Sequence, residues 1–182
     1  MNILFLDYDG VVNTPRFEKD EDGKWICRYG NPLDGKVNDT NAVQWVSEFC
    51  EKYDYKIVVS SSWRSDPKYA DYLRNAGLRE SVDIIGKTPM RYTTRGEEIT
   101  EWLSTCVYEV ENYIIFDDDS DMNEHITHLI QPTQNGFGVT EFTDAVILHN
   151  SGGTMYWWRK DIFATGVLKL RHLNLIHTVM NA

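Results

Sequence analysis

The stretch that most constrains the fold is a short apolar run near the N-terminus that ends in two aspartates, Ile3-Leu4-Phe5-Leu6-Asp7-Tyr8-Asp9-Gly10. A run this short that is bounded by glycine is typical of a buried β-strand rather than a helix. Carboxylates at the end of a buried strand are costly unless a cation, hydrogen bonds or a shared proton compensates them. Asp7 and Asp9 therefore predict a charged site at the end of this strand, and Gly10 allows the chain to turn sharply there.

Further apolar runs alternate with segments of helical periodicity along the first 150 residues. Strands are predicted at residues 56–59, 82–85 and 113–116, with a weaker one at 145–148. Helices are predicted to begin near Asp39, at Asp66-Pro67 and at Gly96. This alternation predicts an α/β fold, a Rossmann-like three-layer parallel sheet with right-handed crossovers.

The chain is predicted to consist of one catalytic domain and a C-terminal extension. The domain covers residues 1–150 and contains an irregular or hairpin-like insertion at 14–37, which we expect to lie over the mouth of the first strand. Residues 151–182 break the strand–helix rhythm after Ser151-Gly152-Gly153 and are predicted to pack on the domain or on a partner.

Composition excludes several classes of protein. A hydrophobic content of 42% indicates a globular chain, and no run approaches the roughly 18 apolar residues that a membrane span needs. Three cysteines without metal-ligand spacing favour a reducing, cytoplasmic compartment. The net charge of −10 argues against non-specific binding to nucleic acid.

Three predicted strands end in polar side chains that suit a metal and a phosphate. Because the carboxyl ends of parallel strands meet at one edge, clustered carboxylates there would repel unless a hard cation such as Mg²⁺ lies between them. The candidate metal ligands are Asp7, Asp9, Asp117, Asp118 and Asp121. The candidate phosphate contacts are Ser60 or Ser61, Arg95 or Lys87, and Arg64 as a second cation.

These motifs, in this order over residues 3–150, resemble the haloacid dehalogenase (HAD) superfamily of phosphohydrolases. The resemblance implies that Asp7 is the nucleophile and Asp9 the general acid/base. It also favours Ser61 over Ser60 and Arg95 over Lys87 in the second and third motifs. Asp118 and Asp117 are the preferred ligands of the fourth motif, with Asp121 in support, and the short spacing between motifs implies a small or absent cap.

The resemblance implies a Mg²⁺-dependent phosphatase that hydrolyses a phosphate monoester through an aspartyl-phosphate. Ser61-Ser62-Trp63-Arg64 and Arg95-Gly96-Glu97-Glu98 further resemble HAD domains of nucleic-acid repair proteins. The substrate is therefore expected to be phosphorylated, and a nucleotide or a nucleic-acid end is one candidate class, with a sugar phosphate and a phosphoprotein also left open. The alternative is a catalytically inactive HAD-like module that binds a partner. Arg64 has an alternative too, a surface ion pair in place of a phosphate contact.

Overall fold

A computed structural model of the chain describes residues 1–14, 16–19, 22–23, 25–28, 39–91, 93–133 and 135–152. Its strands are β1 (Asn2–Leu6), β2 (Arg16–Lys19), β3 (Trp25–Arg28), β4 (Tyr55–Val59), β5 (Ile84–Lys87), β6 (Asn112–Phe116) and β7 (Leu129–Ile130). Its helices are α1 (Thr40–Tyr53), α2 (Tyr69–Asn75), α3 (Arg95–Thr105) and α4 (Val139–Asn150), with two 3₁₀ helices at Ser62–Ser65 and Asn123–His128.

The centre of the fold is a five-stranded sheet in the order β5-β4-β1-β6-β7. Every neighbouring pair in it is parallel, so the predicted α/β, Rossmann-like sheet is confirmed. In the central strand β1, Leu6 pairs with Val59 on one side and with Phe116 on the other. The residues that follow these three, Asp7, Ser60 and Asp117, are therefore brought to the same edge of the sheet.

Helices cover both faces of the sheet because its central strands are apolar on both. Leu4 and Leu6 of β1 belong to a core that includes residues of α1, α2 and α4. Ile3 and Phe5 belong to a second core with Ile99 of α3 on the opposite face. Both faces of β1 are thus buried, as is typical of a strand in the middle of a parallel sheet.

Local capping explains where the two helices nearest the site begin. Asp39 accepts hydrogen bonds from the backbone N–H groups of Asn41 and Ala42 and so starts α1. Thr94 and Glu97 form a reciprocal capping box at the start of α3. This cap fixes Arg95 as the first residue of α3.

The prediction of a strand at 145–148 is wrong. These residues lie in helix α4, whose buried side includes Phe142, Ala145, Val146 and Leu148. A short apolar run does not by itself distinguish a strand from a buried helix segment, and the Ala-Val-Ile-Leu run gave no polar positions to reveal the period. The fifth strand is instead the two-residue β7, and the third predicted strand is observed two residues later than expected, at Ile84–Lys87.

Strands β2 and β3 pair antiparallel within the predicted insertion at 14–37, which is the hairpin form expected for that segment. The proposed placement of this insertion over β1, and the division of the chain at residue 150, stay predictions. Of the predicted extension at 151–182, residues 153–182 lie outside the part of the chain that the structure describes. Among the helices that the structure describes, none combines the length and the apolar character required to cross a bilayer.

Candidate active site

Three carboxylates converge at the carboxyl edge of the sheet. Asp7 follows β1, and Asp117 and Asp118 follow β6; each offers an oxygen atom within 4.8 Å of those of the other two. Asp7 is only 6% exposed and Asp117 is completely buried. The structure thus brings together three of the five predicted metal ligands.

Burial and mutual repulsion make these carboxylates hard to ionise. Burial raises the pKa of Asp7 and of Asp117 above their ordinary values, and the charge of Asp7 raises the pKa of Asp117 further. The Oδ2 atom of Asp117 is buried without a hydrogen-bond partner among the described residues. An all-oxygen donor set with an unsatisfied buried oxygen fits a hard divalent cation such as Mg²⁺.

Arg95 is the cation nearest to this cluster. Its Nη2 lies 3.5 Å from Asp7 Oδ1, and its Nε lies 3.2 Å from Asp117 Oδ2. The second distance marks an ion pair without hydrogen-bond geometry, which is why Asp117 Oδ2 remains unsatisfied. Arg95 lowers the pKa of both carboxylic acids, although burial outweighs this effect.

Lys87, the other candidate for the basic motif, lies elsewhere. It is exposed on the edge strand β5, where its ammonium donates to the carbonyl of Arg64 at 2.8 Å and lies 5.1 Å from the ring centre of Tyr69. Of the two predicted cations, the structure therefore brings only Arg95 to the carboxylates.

Asp9 and Asp121, the remaining predicted ligands, are engaged outside the three-carboxylate cluster. Asp9 accepts hydrogen bonds from Asn13 Nδ2 at 2.5 Å and from Trp63 Nε1 at 2.9 Å. Asp121 Oδ2 accepts from the backbone N–H of Arg95 at 3.0 Å. Asp121 thus supports the start of α3, and Asp9 is held by two side chains that the sequence did not identify as its partners.

Gly10 is the point of closest approach between the two acidic motifs. It has φ +74°, and a Cβ added there would lie 2.2 Å from Cγ of Asp118. A side chain at position 10 would therefore displace a carboxylate of the cluster. The glycine after the first two aspartates is required for space as well as for its backbone conformation.

Of the two predicted phosphate-binding serines, Ser61 points to the cluster. Its hydroxyl lowers the pKa of the Asp7 carboxylic acid. Its hydroxyl also caps the 3₁₀ helix Ser62–Ser65 by accepting from the N–H of Trp63 at 3.4 Å. The hydroxyl of Ser60 is buried without a hydrogen-bond partner among the described residues.

Arg64 has no donor left for a phosphate. All five of its N–H groups are used. Nε donates to the carbonyl of Thr88, and Nη1 donates to the carbonyls of Ser60 and Ser61. Nη2 donates to the carbonyl of Pro89 and to the carboxylate of Glu98. The side chain is 3% exposed. In this geometry Arg64 holds the turn after β4 in place. Of the two roles considered for Arg64, the ion pair is the one that the structure contains, and this pair is buried instead of lying on the surface.

Glu98 is a site-supporting residue that the sequence did not reveal. Its Oε2 pairs with Arg64, and its Oε1 accepts from the backbone N–H of Arg91 at 2.9 Å. A glutamate in a helix of mixed polarity gives no sign that it is buried, although Glu98 lies only three residues after Arg95, the first residue of α3.

Comparison with known families decides the classification. A family model described as "HAD domain in Swiss Army Knife RNA repair proteins" matches residues 3–142. The chain belongs to this HAD family. A search of curated proteins gives no significant match.

Membership of the HAD family confirms the resemblance inferred from the four motifs, including its nucleic-acid repair type. At a coarse level it supports a HAD-type phosphohydrolase. HAD proteins generally use Mg²⁺, and the acidic cluster of this HAD domain has the composition that such a site requires.

Proposed function

We propose that this HAD domain is a Mg²⁺-dependent phosphatase that hydrolyses a phosphate monoester through an aspartyl-phosphate. The observation that carries the proposal is the convergence of Asp7, Asp117 and Asp118 with the guanidinium of Arg95 at one edge of the sheet. Three carboxylates supply the charge that a cation needs, and Arg95 supplies a contact for a phosphate oxygen.

In the first half of the reaction, a carboxylate oxygen of Asp7 attacks the phosphorus atom. The bond from phosphorus to the ester oxygen breaks, and its electron pair stays with the leaving oxygen. That oxygen takes a proton from the carboxylic acid of Asp9. The hydroxyl of Ser61 and the guanidinium of Arg95 bind the oxygens of the transferred phosphoryl group.

In the second half, water attacks the same phosphorus atom and gives its proton to the Asp9 carboxylate. The bond from phosphorus to the Asp7 oxygen breaks and its electron pair stays on that oxygen, so inorganic phosphate leaves and the carboxylate of Asp7 is restored. Asn13 and Trp63 hold both oxygens of Asp9 and so fix its direction. Mg²⁺ bound by Asp7, Asp117 and Asp118 would offset the negative charge of the carboxylates and of the phosphate oxygens.

The proposed substrate is a nucleotide or a phosphorylated nucleic-acid end. The description of the matching family, which refers to RNA repair proteins, supports this choice. The net charge of −10 opposes tight non-specific binding of long nucleic acid, so we expect recognition to be confined to the end that carries the phosphate. A cytoplasmic location stays a prediction.

The test is release of inorganic phosphate from p-nitrophenyl phosphate, with Mg²⁺ or with EDTA. Asp7→Asn removes the nucleophile and is expected to lower kcat at least about 10³-fold. Asp71→Asn, which changes an exposed aspartate of α2 in the same way, is the matched control and should retain activity. A panel of phosphorylated oligonucleotide ends then tests the substrate class.

The alternative function, a HAD-like binding module without activity, predicts a different result. A folded wild type that is as inactive as Asp7→Asn on the generic substrate and on the whole panel would exclude the phosphatase. Activity that persists in EDTA would instead exclude the dependence on Mg²⁺.

A further inference from the structure

A second cavity adjoins the phosphate side of the site. A cavity of about 170 Å³, the phosphate-side cavity, is lined in part by Arg95, Thr93 and Asp121. A cavity of about 520 Å³, the aromatic cavity, is lined by Ser62, Trp63, Ser65, Asp66, Tyr72 and Met90. Ser62 and Met90 line both, so the two cavities are adjacent. The larger one has the size of a small-molecule site, about 300–1,000 Å³.

The walls of the aromatic cavity are held in fixed orientations. The rings of Trp63 and Tyr72 meet edge to face, with centres 5.6 Å apart. The hydroxyl of Tyr72 donates to Asp66 Oδ2 at 2.7 Å, and Asp66 Oδ1 accepts from the N–H of Lys68 at 2.8 Å. Met90, 43% exposed, adds a polarisable thioether at the rim. Fixed aromatic rings beside a thioether form a surface on which a planar ring packs well.

The charges of the two cavities differ in the way that a nucleotide requires. Among the residues that the structure describes, Asp66 is the only charged one that lines the aromatic cavity, so a second phosphate would be repelled there. The phosphate-side cavity is lined by two cations and two carboxylates, Arg64, Arg95, Glu98 and Asp121. Arg64 and Glu98 are paired with each other, so Arg95 is the cation there that can attract a phosphate. A neutral heteroaromatic ring with N–H donors suits the hydroxyls of Ser62 and Ser65 and the carboxylate of Asp66 better than a phenyl ring does.

Trp63 connects this cavity to the chemistry. Its ring lines the aromatic cavity, while its Nε1 donates to Asp9 Oδ2 at 2.9 Å. A ring that packs on Trp63 would therefore rest on the side chain that positions the proposed general acid/base.

We propose that the aromatic cavity binds the nucleobase of the nucleotide whose phosphate is attacked, and that Trp63 is both its stacking partner and a positioning residue for Asp9. The proposal rests on the proposed function for the identity of the reacting phosphate. The binding of the base itself is measured without turnover, so the two can fail separately.

The first experiment compares two ligands in the Asp7→Asn variant with Mg²⁺: adenosine 5′-monophosphate and ribose 5-phosphate. We expect the base to tighten binding about tenfold, a size typical of one base stacked on an aromatic residue. Ser65→Phe, which fills the aromatic cavity, should bring the ratio of the two dissociation constants close to one. Ser104→Phe, at the far end of α3 on an exposed position, is the matched control and should keep the ratio.

Equal affinity for the two ligands would overturn the proposal, as would a ratio that Ser65→Phe leaves intact. Tighter binding of a phosphotyrosine peptide than of the mononucleotide would overturn it as well, because the cavity would then serve a protein substrate. None of these results depends on whether the wild type hydrolyses phosphate.

The second experiment tests the positioning role with Trp63→Phe. Phenylalanine keeps an aromatic ring in the cavity, so the ratio of dissociation constants for the two ligands should be kept. We expect kcat to fall about tenfold, because phenylalanine has no N–H to donate to Asp9. A loss confined to KM, or a kcat equal to that of the wild type, would show that Trp63 does not position Asp9. If the wild type has no phosphatase activity, that failure belongs to the proposed function, and the binding ratio still decides the base site.

Discussion

Arg64 and Glu98 form a buried ion pair, Nη2 to Oε2 at 2.5 Å, between the 3₁₀ helix that follows β4 and helix α3. Both side chains are almost fully enclosed, 3% and 7% exposed. The same guanidinium donates to the carbonyls of Ser60 and Ser61. The pair therefore links the loop that presents Ser61 to the helix that presents Arg95, the two phosphate contacts of the proposed mechanism.

Arg64→Met is expected to destabilise the protein by about 3–5 kcal/mol, because it leaves the carboxylate of Glu98 buried without its cation. The measurement is the free energy of unfolding from urea titration. Arg79→Met is the matched control: Arg79 is 45% exposed and forms surface ion pairs with Glu48 and Glu51, so its loss should hardly move the urea midpoint. Equal effects of the two substitutions would contradict the assignment of Arg64 as a buried support.

Gly10→Ala is expected to disrupt the acidic cluster, because the new Cβ would lie 2.2 Å from Cγ of Asp118. We expect the affinity for Mg²⁺ and kcat each to fall at least about tenfold, the effect of a shift of roughly 1 Å at a reacting site. Gly152→Ala is the control: it has nearly the same φ, +73°, but nothing within 4 Å of the added Cβ. If both variants lose activity alike, backbone strain and not contact with Asp118 is the cause.

The sequence was sufficient to predict the parallel sheet and the meeting of Asp7 with Asp117 and Asp118, although it also placed Asp9 and Asp121 in that group of ligands. Both follow from apolar runs that end in acidic residues, because parallel strands place their carboxyl ends at one edge. The sequence was not sufficient to predict the buried ion pair of Arg64 and Glu98, because their burial depends on packing between distant segments. The strand pattern alone did not separate Ser60 from Ser61, since a shift of one residue reverses the face to which a strand-end side chain points; only the family resemblance favoured Ser61. Helix α4 was missed because its apolar run conceals its period.

Ser61→Ala is expected to lower kcat/KM by roughly 10- to 100-fold, because it removes the hydroxyl that lowers the pKa of Asp7 and that would donate to the bound phosphate. Ser60→Ala provides the comparison at the adjacent position. The hydroxyl of Ser60 is buried and makes no hydrogen bond among the described residues, so its loss should leave kcat/KM within about twofold and stability no lower than in the wild type. A larger loss of activity in Ser60→Ala would reverse the assignment of the two serines.

His125 is expected to make stability depend on pH. Burial lowers its pKa below the ordinary value of 6.5, and its ring nitrogens contact the hydroxyls of Thr100 and Tyr113 at 2.8 Å and 2.7 Å. The unfolded chain therefore binds the proton first, so the stability that His125 contributes is complete above pH 6.5 and is lost as pH falls through its folded pKa.

The measurement is the difference in free energy of unfolding between the wild type and His125→Gln, at pH 7.5 and at pH 5. We expect this difference to shrink at the lower pH. Both proteins keep the acidic cluster, whose raised pKa values act with the opposite sign, so the comparison cancels that contribution. A difference that is constant across this range would show that His125 does not titrate in the folded protein as expected.

Asp117→Asn tests how much the acidic cluster lowers the stability of the protein when no metal is bound. Burial raises the pKa of Asp117, so the stability that its neutral form provides is present below pH 3.8 and is lost as pH rises through the folded pKa. In EDTA at pH 8, we therefore expect Asp117→Asn to have a higher Tm than the wild type, and the gain to shrink toward pH 4. The amide oxygen can still accept from the N–H of Asp119, as Oδ1 does at 3.0 Å. Mg²⁺ should give the wild type the higher Tm of the two proteins, because at 100 times its Kd it stabilises the wild type by about 2.7 kcal/mol. If Mg²⁺ leaves the order of the two Tm values unchanged, Asp117 is not a ligand.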